Sequence, residues 1–450
     1  MHGWAQDRIG VHYSRMADDL VSELLRFLDA SPTPYHAVAR VVHALGRAGF
    51  REVREGETWS LSPGDKVYLT RADASIAAFI LGQQAPHDAG FRLIGAHTDS
   101  PNLRLKPLPS LSRYGYQQLG VETYGGVLLS TWLDRDLSLA GRLVVDREGS
   151  LCTELVDVQL PIARIPNLAI HLNRTVNTEG LKLNPQNHLT PIIGMAQGNS
   201  EQSFEGQLCE WLGNGDPLLA PEQVLGFDLC LYDVQPATLA GIRSEFINGA
   251  RLDNLLGCYS GLRALLATAS QPTPFTRGLV LYDHEEVGSR SSHGADSTLL
   301  EQALARIAHG AEGAVHDAFA RSMSRSFLIS CDTAHAVHPN YSEMHEPNHR
   351  PLLGGGPVIK RHASQSYATD AHSAARFKQW CRNADVSPQD FVTRSDLGCG
   401  STIGPISAGR LGLATIDIGH PLLSMHSVRE MGAINDVVSM HNVLNSYYSS

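Results

Sequence analysis

Residues 278–289 read GLVLYDHEEVGS, an apolar run that stops at three carboxylates and a histidine. Three further segments share that layout: RLIGAHTDS at 92–100, FLISCDTAHAVH at 327–338 and ATIDIGHPLLSMHS at 414–427. Short apolar runs bounded by polar residues read as buried strands. In an open α/β sheet, the residues just past the carboxyl ends of the strands line the ligand crevice. A fifth segment, GARLDNLLG at 249–257, puts Asp253 at the start of a helix.

Working outward, residues 17–30 place Leu20, Leu24, Phe27 and Leu28 on one helical face. The next segment, SPTPYHAVARVVHAL, reads as a second helix with Thr33 as N-cap and Pro34 at the first helical position. Strand-like runs follow at Val67–Arg71, Ser75–Gly82 and Phe91–His97. Between about 100 and 243 short apolar segments such as Arg142–Asp146 and Glu154–Leu160 alternate with turns. The polar stretch at 184–206 there is expected to be a mobile loop. Beyond Gly249, helices at Asp253–Thr268, Asp296–Ala308, 371–382 and 434–447 alternate with strands at Gly278–Tyr282, Phe327–Cys331 and Leu413–Ile418. Such alternation predicts an α/β fold: a mixed, mainly parallel sheet with helices on both faces. A smaller β-rich insert at 100–243 would interrupt a discontinuous catalytic domain formed by 1–99 and 244–450.

A chain of 450 residues exceeds one small core. Its 42% hydrophobic and 18% charged content is ordinary for a globular protein. The formal net charge of -10, with no Lys/Arg block, excludes a nucleic-acid footprint. No apolar run reaches the ~18 residues of a membrane span. The N-terminal MHGWAQDRIGVHYSRM has no signal-peptide core, so the expected compartment is the cytoplasm. Seven dispersed cysteines without a CxxC pair read as reduced thiols, not as a thiolate metal site. Histidine is abundant, at 21, and many copies sit beside carboxylates.

His97 and Asp99 lie two apart, so in an extended segment both point to one side. That suits a metal-binding imidazole whose second nitrogen is held by a carboxylate. Glu285 and Glu286 are adjacent and diverge, so one can bind metal while its neighbour faces substrate as a base. Asp253 could bridge two ions, with Asp332 and His426 supplying remaining bonds. Imidazole and carboxylate without thiolate suit zinc, cobalt or manganese. Singly, each feature has an ordinary explanation: a satisfied core pair, a solvated glutamate face, a helix cap. Those explanations would have to hold independently at five element ends.

The motifs LIGAHTDSPNLRLKP, TWLDRDLSLAGRL, GARLDN, DHEEVGS, DTAHAVHPNY, HRPLLGGGPVIK, CGSTIGP and SMHSVRE, taken in order, resemble the aspartyl aminopeptidase family of metallopeptidases. The resemblance runs from about position 30 to the C-terminus. It implies a zinc-peptidase-like catalytic domain interrupted by a dimerisation domain, assembled from dimers into a homododecamer. It also implies two divalent metal ions, with His97 and either Asp332 or Glu286 on separate ions, Asp253 bridging, His426 completing the set and Glu285 as general base. Asp99 would orient His97. Departures are mild: Asn102 where relatives often have Cys, His284 where many have Asn, and SDLGCGS before the CG pair.

The implied reaction is hydrolysis of the N-terminal residue of peptides bearing a free amine, preferring Asp or Glu. Lys360, in GGGPVIKRHA, occupies the family's position for a cation that receives the acidic side chain, and the glycines would let backbone approach substrate. Without the resemblance Lys360 reads as an exposed lysine on an edge strand. Arg361, its neighbour, would point to the opposite face. His171 of the insert resembles a family histidine that reaches an active site, in one reading the partner subunit's, and would lie near substrate or metal. His335, His338 and His349 are candidates for the substrate pocket. Two other readings use the same residues: a two-metal amidohydrolase acting on acylated amino acids, and a shell-forming scaffold with a silent site. A preference for neutral first residues is a further variant.

Overall fold

The computed structural model describes residues 15–196, 203–212 and 219–450. A nine-stranded sheet runs in the order Arg51–Glu52, Lys66–Arg71, Ser75–Ile80, Thr276–Tyr282, Phe91–His97, Phe327–Cys331, Ala414–Gly419, Val358–Arg361, Gln389–Val392. Its four central strands, 276–282, 91–97, 327–331 and 414–419, are mutually parallel. Their carboxyl ends therefore share one edge. Antiparallel pairings occur only further out, at 66–71 with 75–80, 75–80 with 276–282, and 358–361 with 414–419. The mixed, mainly parallel α/β sheet expected from the sequence is thus the one observed.

Apolar cores cover both faces of this sheet. On one, the helices Arg15–Asp29, Pro34–Arg47, Leu252–Ala267 and Ile434–Ser449 bury Leu24, Leu28, Val41, Leu265 and Leu444. On the other, Leu299–Gly310 and Ile403–Leu411 bury Leu299, Leu304 and Ile403 against Val280 and Leu328. Thr33 takes the N-cap position before Pro34, but it caps no amide; its hydroxyl lies 2.8 Å from His36 Nδ1. The C-terminal helix is fastened to the sheet by two buried phenols. Tyr447 donates to the Phe327 carbonyl (2.6 Å) and accepts from the Leu93 amide (2.8 Å), and Tyr448 donates to the Gly278 carbonyl (2.6 Å).

A second, six-stranded antiparallel sheet runs in the order Ser150–Asp157, Leu137–Arg147, Val224–Asp233, Asn102–Arg113, Tyr116–Tyr124, Ile192–Met195. It carries its own apolar core, with Leu103, Leu119, Leu139, Leu143 and Leu229 fully or nearly buried. The polar stretch expected to be a mobile loop is ordered where described. It forms a short helix Pro185–His188, an edge strand Ile192–Met195 paired with Tyr116–Gln118, and the start of the helix Phe204–Leu212. The apolar Leu189, fully buried, and Ile193 anchor it, a local signal outweighed in sequence by the surrounding polar residues. Residues 197–202 of that stretch, and the N-terminal residues 1–14, lie outside the described residues.

The phenol contacts generate a stability test. Tyr447→Phe removes the hydroxyl and leaves the Phe327 carbonyl and Leu93 amide buried without it. A loss of about 1–3 kcal/mol is expected, measured as a lower urea midpoint at unchanged slope.

Candidate metal centre

Parallel central strands explain why distant residues meet. His97 ends one strand, Glu285 and Glu286 follow the next, Asp332 follows a third, and His426 lies in the loop after the fourth. Asp253 enters from the first turn of the helix Leu252–Ala267. Its carboxylate does not cap that helix. Its two oxygens lie between two imidazoles, with Oδ1 3.4 Å from His97 Nε2 and Oδ2 3.4 Å from His426 Nε2. His97 Nε2 is also 3.3 Å from Asp332 Oδ1 and 4.0 Å from Glu285 Oε2, while His426 Nε2 is 3.4 Å from Glu286 Oε2.

Two candidate ligand trios share Asp253, His97–Asp253–Asp332 and Asp253–Glu286–His426, and a further grouping, His97–Glu285–Glu286, links them. Asp253 Oδ1 and Glu286 Oε1 are buried with no hydrogen-bond partner. Orphaned carboxylate oxygens cost free energy unless a cation meets them, so this donor set fits zinc. A cavity of about 420 Å³ opens onto the trios and is lined also by Glu285, Lys360, Tyr367 and the 400–402 segment of the CGST motif.

Asp99 does more than face His97. Its Oδ1 lies 3.4 Å from His97 Nδ1 and accepts the Glu285 amide (3.1 Å), and its Oδ2 accepts the Glu286 amide (3.1 Å) and the Tyr124 hydroxyl (2.6 Å). His97 Nδ1 also lies 3.0 Å from the Asp99 carbonyl. Beyond His426, Nδ1 meets the Gly126 carbonyl at 3.0 Å. Buried Glu430 accepts the amides of Asp253 (3.0 Å) and His426 (2.8 Å). Sequence reasoning missed Tyr124, Gly126 and Glu430. Only the Gly125–Gly126 pair gave any signal. A Cβ at Gly125, whose φ is +73°, would stand 3.0 Å from Glu286 Cβ, and one at Gly126 would stand 3.1 Å from His426 Nδ1.

The electrostatics follow from burial and crowding. Burial lowers the His97 pKa, but Asp253, Asp332 and Asp99 outweigh it and lift the imidazole well above its ordinary value. His426, opposed by burial but faced by Asp253, rises to about 9. Burial beside Asp332, Asp99 and Asp253, offset in part by His97, lifts Glu285 to about 8. Glu286 is raised well above a normal glutamate by burial and Asp253. An ion-free site therefore holds protons that a cation must displace.

Lys360 is neither exposed nor on an edge strand. At 2% exposure, it donates to Asp332 Oδ2 (3.2 Å) and the Thr333 carbonyl (2.9 Å) beneath the cavity. Arg361 pairs instead with Asp390 at 3.2 Å. The glycine triplet does not line the cavity. The amides of Gly354 and Gly356 bind buried Asp436 (2.7 and 2.8 Å), and a Cβ at Gly355 would meet Gln389. His335 reaches the cavity. His349 does not line it, because its ring is held by Glu346, three residues back. His171 is exposed on the segment that follows strand Ser150–Asp157 of the six-stranded sheet and does not line the cavity of its own chain.

The family described as Aminopeptidase I zinc metalloprotease (M18) matches residues 27–448. The "Probable M18 family aminopeptidase 2" of Pseudomonas putida (strain GB-1) is 50% identical over 435 residues, covering 97% of this chain and 99% of its own. The protein of the same name from Azotobacter vinelandii is 49% identical over 435 residues, with the same coverage. Among solved structures, a chain from the "Cryo-EM structure of the Ape4 and Nbr1 complex" superposes with TM-score 0.94 at 37% identity, covering 98% of this chain and 87% of that one. The "Structure of S. cerevesiae mApe1 dodecamer" superposes with TM-score 0.84 at 28% identity, covering 97% of each.

Two outcomes follow for metal binding. Because protons compete for Glu285, Glu286 and His426, apparent zinc affinity should climb as pH rises from 7 to 9, and chelator competition that is flat with pH would contradict this. Asp99→Asn, which weakens the hold on His97 and on the Glu285–Glu286 turn, should bind zinc about 10–100-fold more weakly in the same titration.

Proposed function

This chain belongs to the M18 family of zinc aminopeptidases, and we propose that it removes Asp and Glu from peptide N-termini with Glu285 as general base. The observation that carries this reading is the shared cavity: two ligand trios joined at Asp253, with Glu285 at their margin and a buried lysine beneath. Family membership sets aside the acyl-amino-acid amidohydrolase and the silent scaffold.

We assign two divalent ions to the trios, zinc by family, with cobalt and manganese accepted by the same donors. When bound, they polarise the scissile carbonyl and acidify a water. Glu285 takes a proton from the attacking water and delivers it to the departing amide nitrogen. Asp99 fixes the His97 ring, and the cavity carboxylates receive the substrate's free amine.

Lys360 carries the acidic preference. An ammonium has three donors. Two engage Asp332 and Thr333, leaving one for a substrate carboxylate inside a desolvated pocket.

The 100–243 segment is assigned to dimerisation within a dodecamer of a discontinuous 1–99 and 244–450 catalytic domain. Supporting this, the segment exposes Leu108, Tyr114, Leu151, Leu172 and Leu225, each at 60% or more, and a structural relative is a dodecamer. His171 would then reach a neighbouring subunit's cavity. All seven cysteines are unpaired, in keeping with a reducing cytoplasm.

Three measurements bear on these assignments. Glu285→Gln should lose about 10²–10⁴-fold in kcat on aminoacyl anilides while keeping its metal; near-normal turnover would remove Glu285 as the base. Lys360→Ala should cost about 2–5 kcal/mol in kcat/KM on Asp-anilide and far less on Leu-anilide; an unchanged preference would exclude Lys360 from specificity. Sedimentation should give twelve chains of 48.8 kDa, about 590 kDa, and a monomer would overturn the assembly.

A further inference from the structure

Directly before Glu285, the chain builds a second constellation that the aminopeptidase centre does not use. Asp283, His284 and His293 converge at the end of the strand Thr276–Tyr282 and on the loop that follows. None of the three lines the catalytic cavity. His284 has a left-handed backbone, φ +63°, and the chain turns there between this cluster and the Glu285–Glu286 pair.

Asp283 is 1% exposed, and its Oδ1 accepts only the His284 amide, at 2.8 Å. Its Oδ2 is buried and has no hydrogen-bond partner. No Lys or Arg pairs with it among the described residues. Arg104, stacked over the Tyr124 ring, acts on it only at longer range, and a buried carboxylate oxygen left without a hydrogen-bond partner is costly. The two groups aimed at it are imidazole nitrogens: His284 Nε2 and His293 Nε2 each stand 3.5 Å from Asp283 Oδ2. That distance is too long for an N–H···O bond, which closes at about 2.7–3.2 Å. It suits two ligand atoms sharing a tetrahedral cation at bonds of about 2.0–2.2 Å, whose ligand atoms lie roughly 3.3–3.5 Å apart.

The surroundings fix both rings for that purpose. His284 Nδ1 lies 2.8 Å from Ser291 Oγ, and His293 Nδ1 lies 3.0 Å from Ser292 Oγ, so each Nε2 is left facing Asp283. Holding the far nitrogen is how proteins orient a metal-binding imidazole. Ser75 ties the two sides together, donating to the His293 carbonyl (2.7 Å) and accepting the Asp283 amide (2.8 Å). The histidine side chains are 20% and 15% exposed, which leaves an approach for a water as fourth ligand.

We propose that Asp283, His284 and His293 form a cation site distinct from the catalytic centre, taking a divalent ion of the zinc or cobalt class. Its ion clamps the 283–293 loop at the base of the turn that presents Glu285 and Glu286.

The test counts zinc where both imidazoles of the aminopeptidase centre have been removed. His97→Ala/His426→Ala protein, loaded with zinc, gel-filtered and analysed by mass spectrometry for metal, should retain one equivalent per chain. Adding His293→Gln should remove that equivalent, with folding checked by circular dichroism. Cobalt in the double variant should give the intense visible bands of a tetrahedral site, absent after His284→Asn. Zero zinc in the folded double variant, or an equivalent that survives both His293→Gln and His284→Asn, overturns the proposal. Because the count is made without the two imidazoles of the aminopeptidase centre and is read through His293 and His284, failure of the aminopeptidase reading would not produce either result.

Discussion

One carboxylate, that of Asp99, holds the candidate metal centre in register. It receives the Tyr124 hydroxyl and the amides of Glu285 and Glu286 while facing His97. Burial alone would push its proton affinity up, yet His97 and Tyr124 prevail and keep its pKa below the usual range. An ionised acid at essentially zero exposure is tolerated because its oxygens are saturated with donors. The same saturation locks three separate pieces together: the end of strand 91–97, the turn after strand 276–282, and the last residue of strand Tyr116–Tyr124 in the six-stranded sheet. Moving any one of them leaves a buried charge underpaired.

Around that point the centre is layered. Asp253 spans two imidazoles, and each imidazole is steadied from behind, His97 by the Asp99 carbonyl and His426 by the Gly126 carbonyl. Glu430 gathers the backbone of both Asp253 and His426. Main-chain amides and carbonyls do much of this positioning, so few side chains beyond the ligands advertise the task.

That division explains what the sequence disclosed. Apolar runs ending in His97, Glu285 and Asp332 were legible as strands because burial on both sides forces a continuous hydrophobic stretch. Their convergence was legible because parallel strands align their carboxyl ends. Tyr124 and Glu430 were opaque: Tyr124 acts through a partner 25 residues away, Glu430 joins the nearby His426 amide to one 177 residues away, and a lone Tyr or Glu carries no periodic mark. Strand Val358–Arg361 is only four residues long and lies inside the sheet through pairing on both sides, which made Lys360 look like a surface residue. The glycine triplet suggested substrate contact, whereas tertiary structure had given its amides to Asp436.

The Gly125–Gly126 pair leaves the antiparallel sheet and presses against Glu286 and His426 so closely that an added Cβ would crowd either side chain. Ligand geometry in one unit is thereby subcontracted to the other. Excising the smaller sheet would strip the backing from Glu286 and His426. A strain that tilts the smaller sheet, from contact with a neighbour or from a remote substitution, has a direct mechanical route to the ligands.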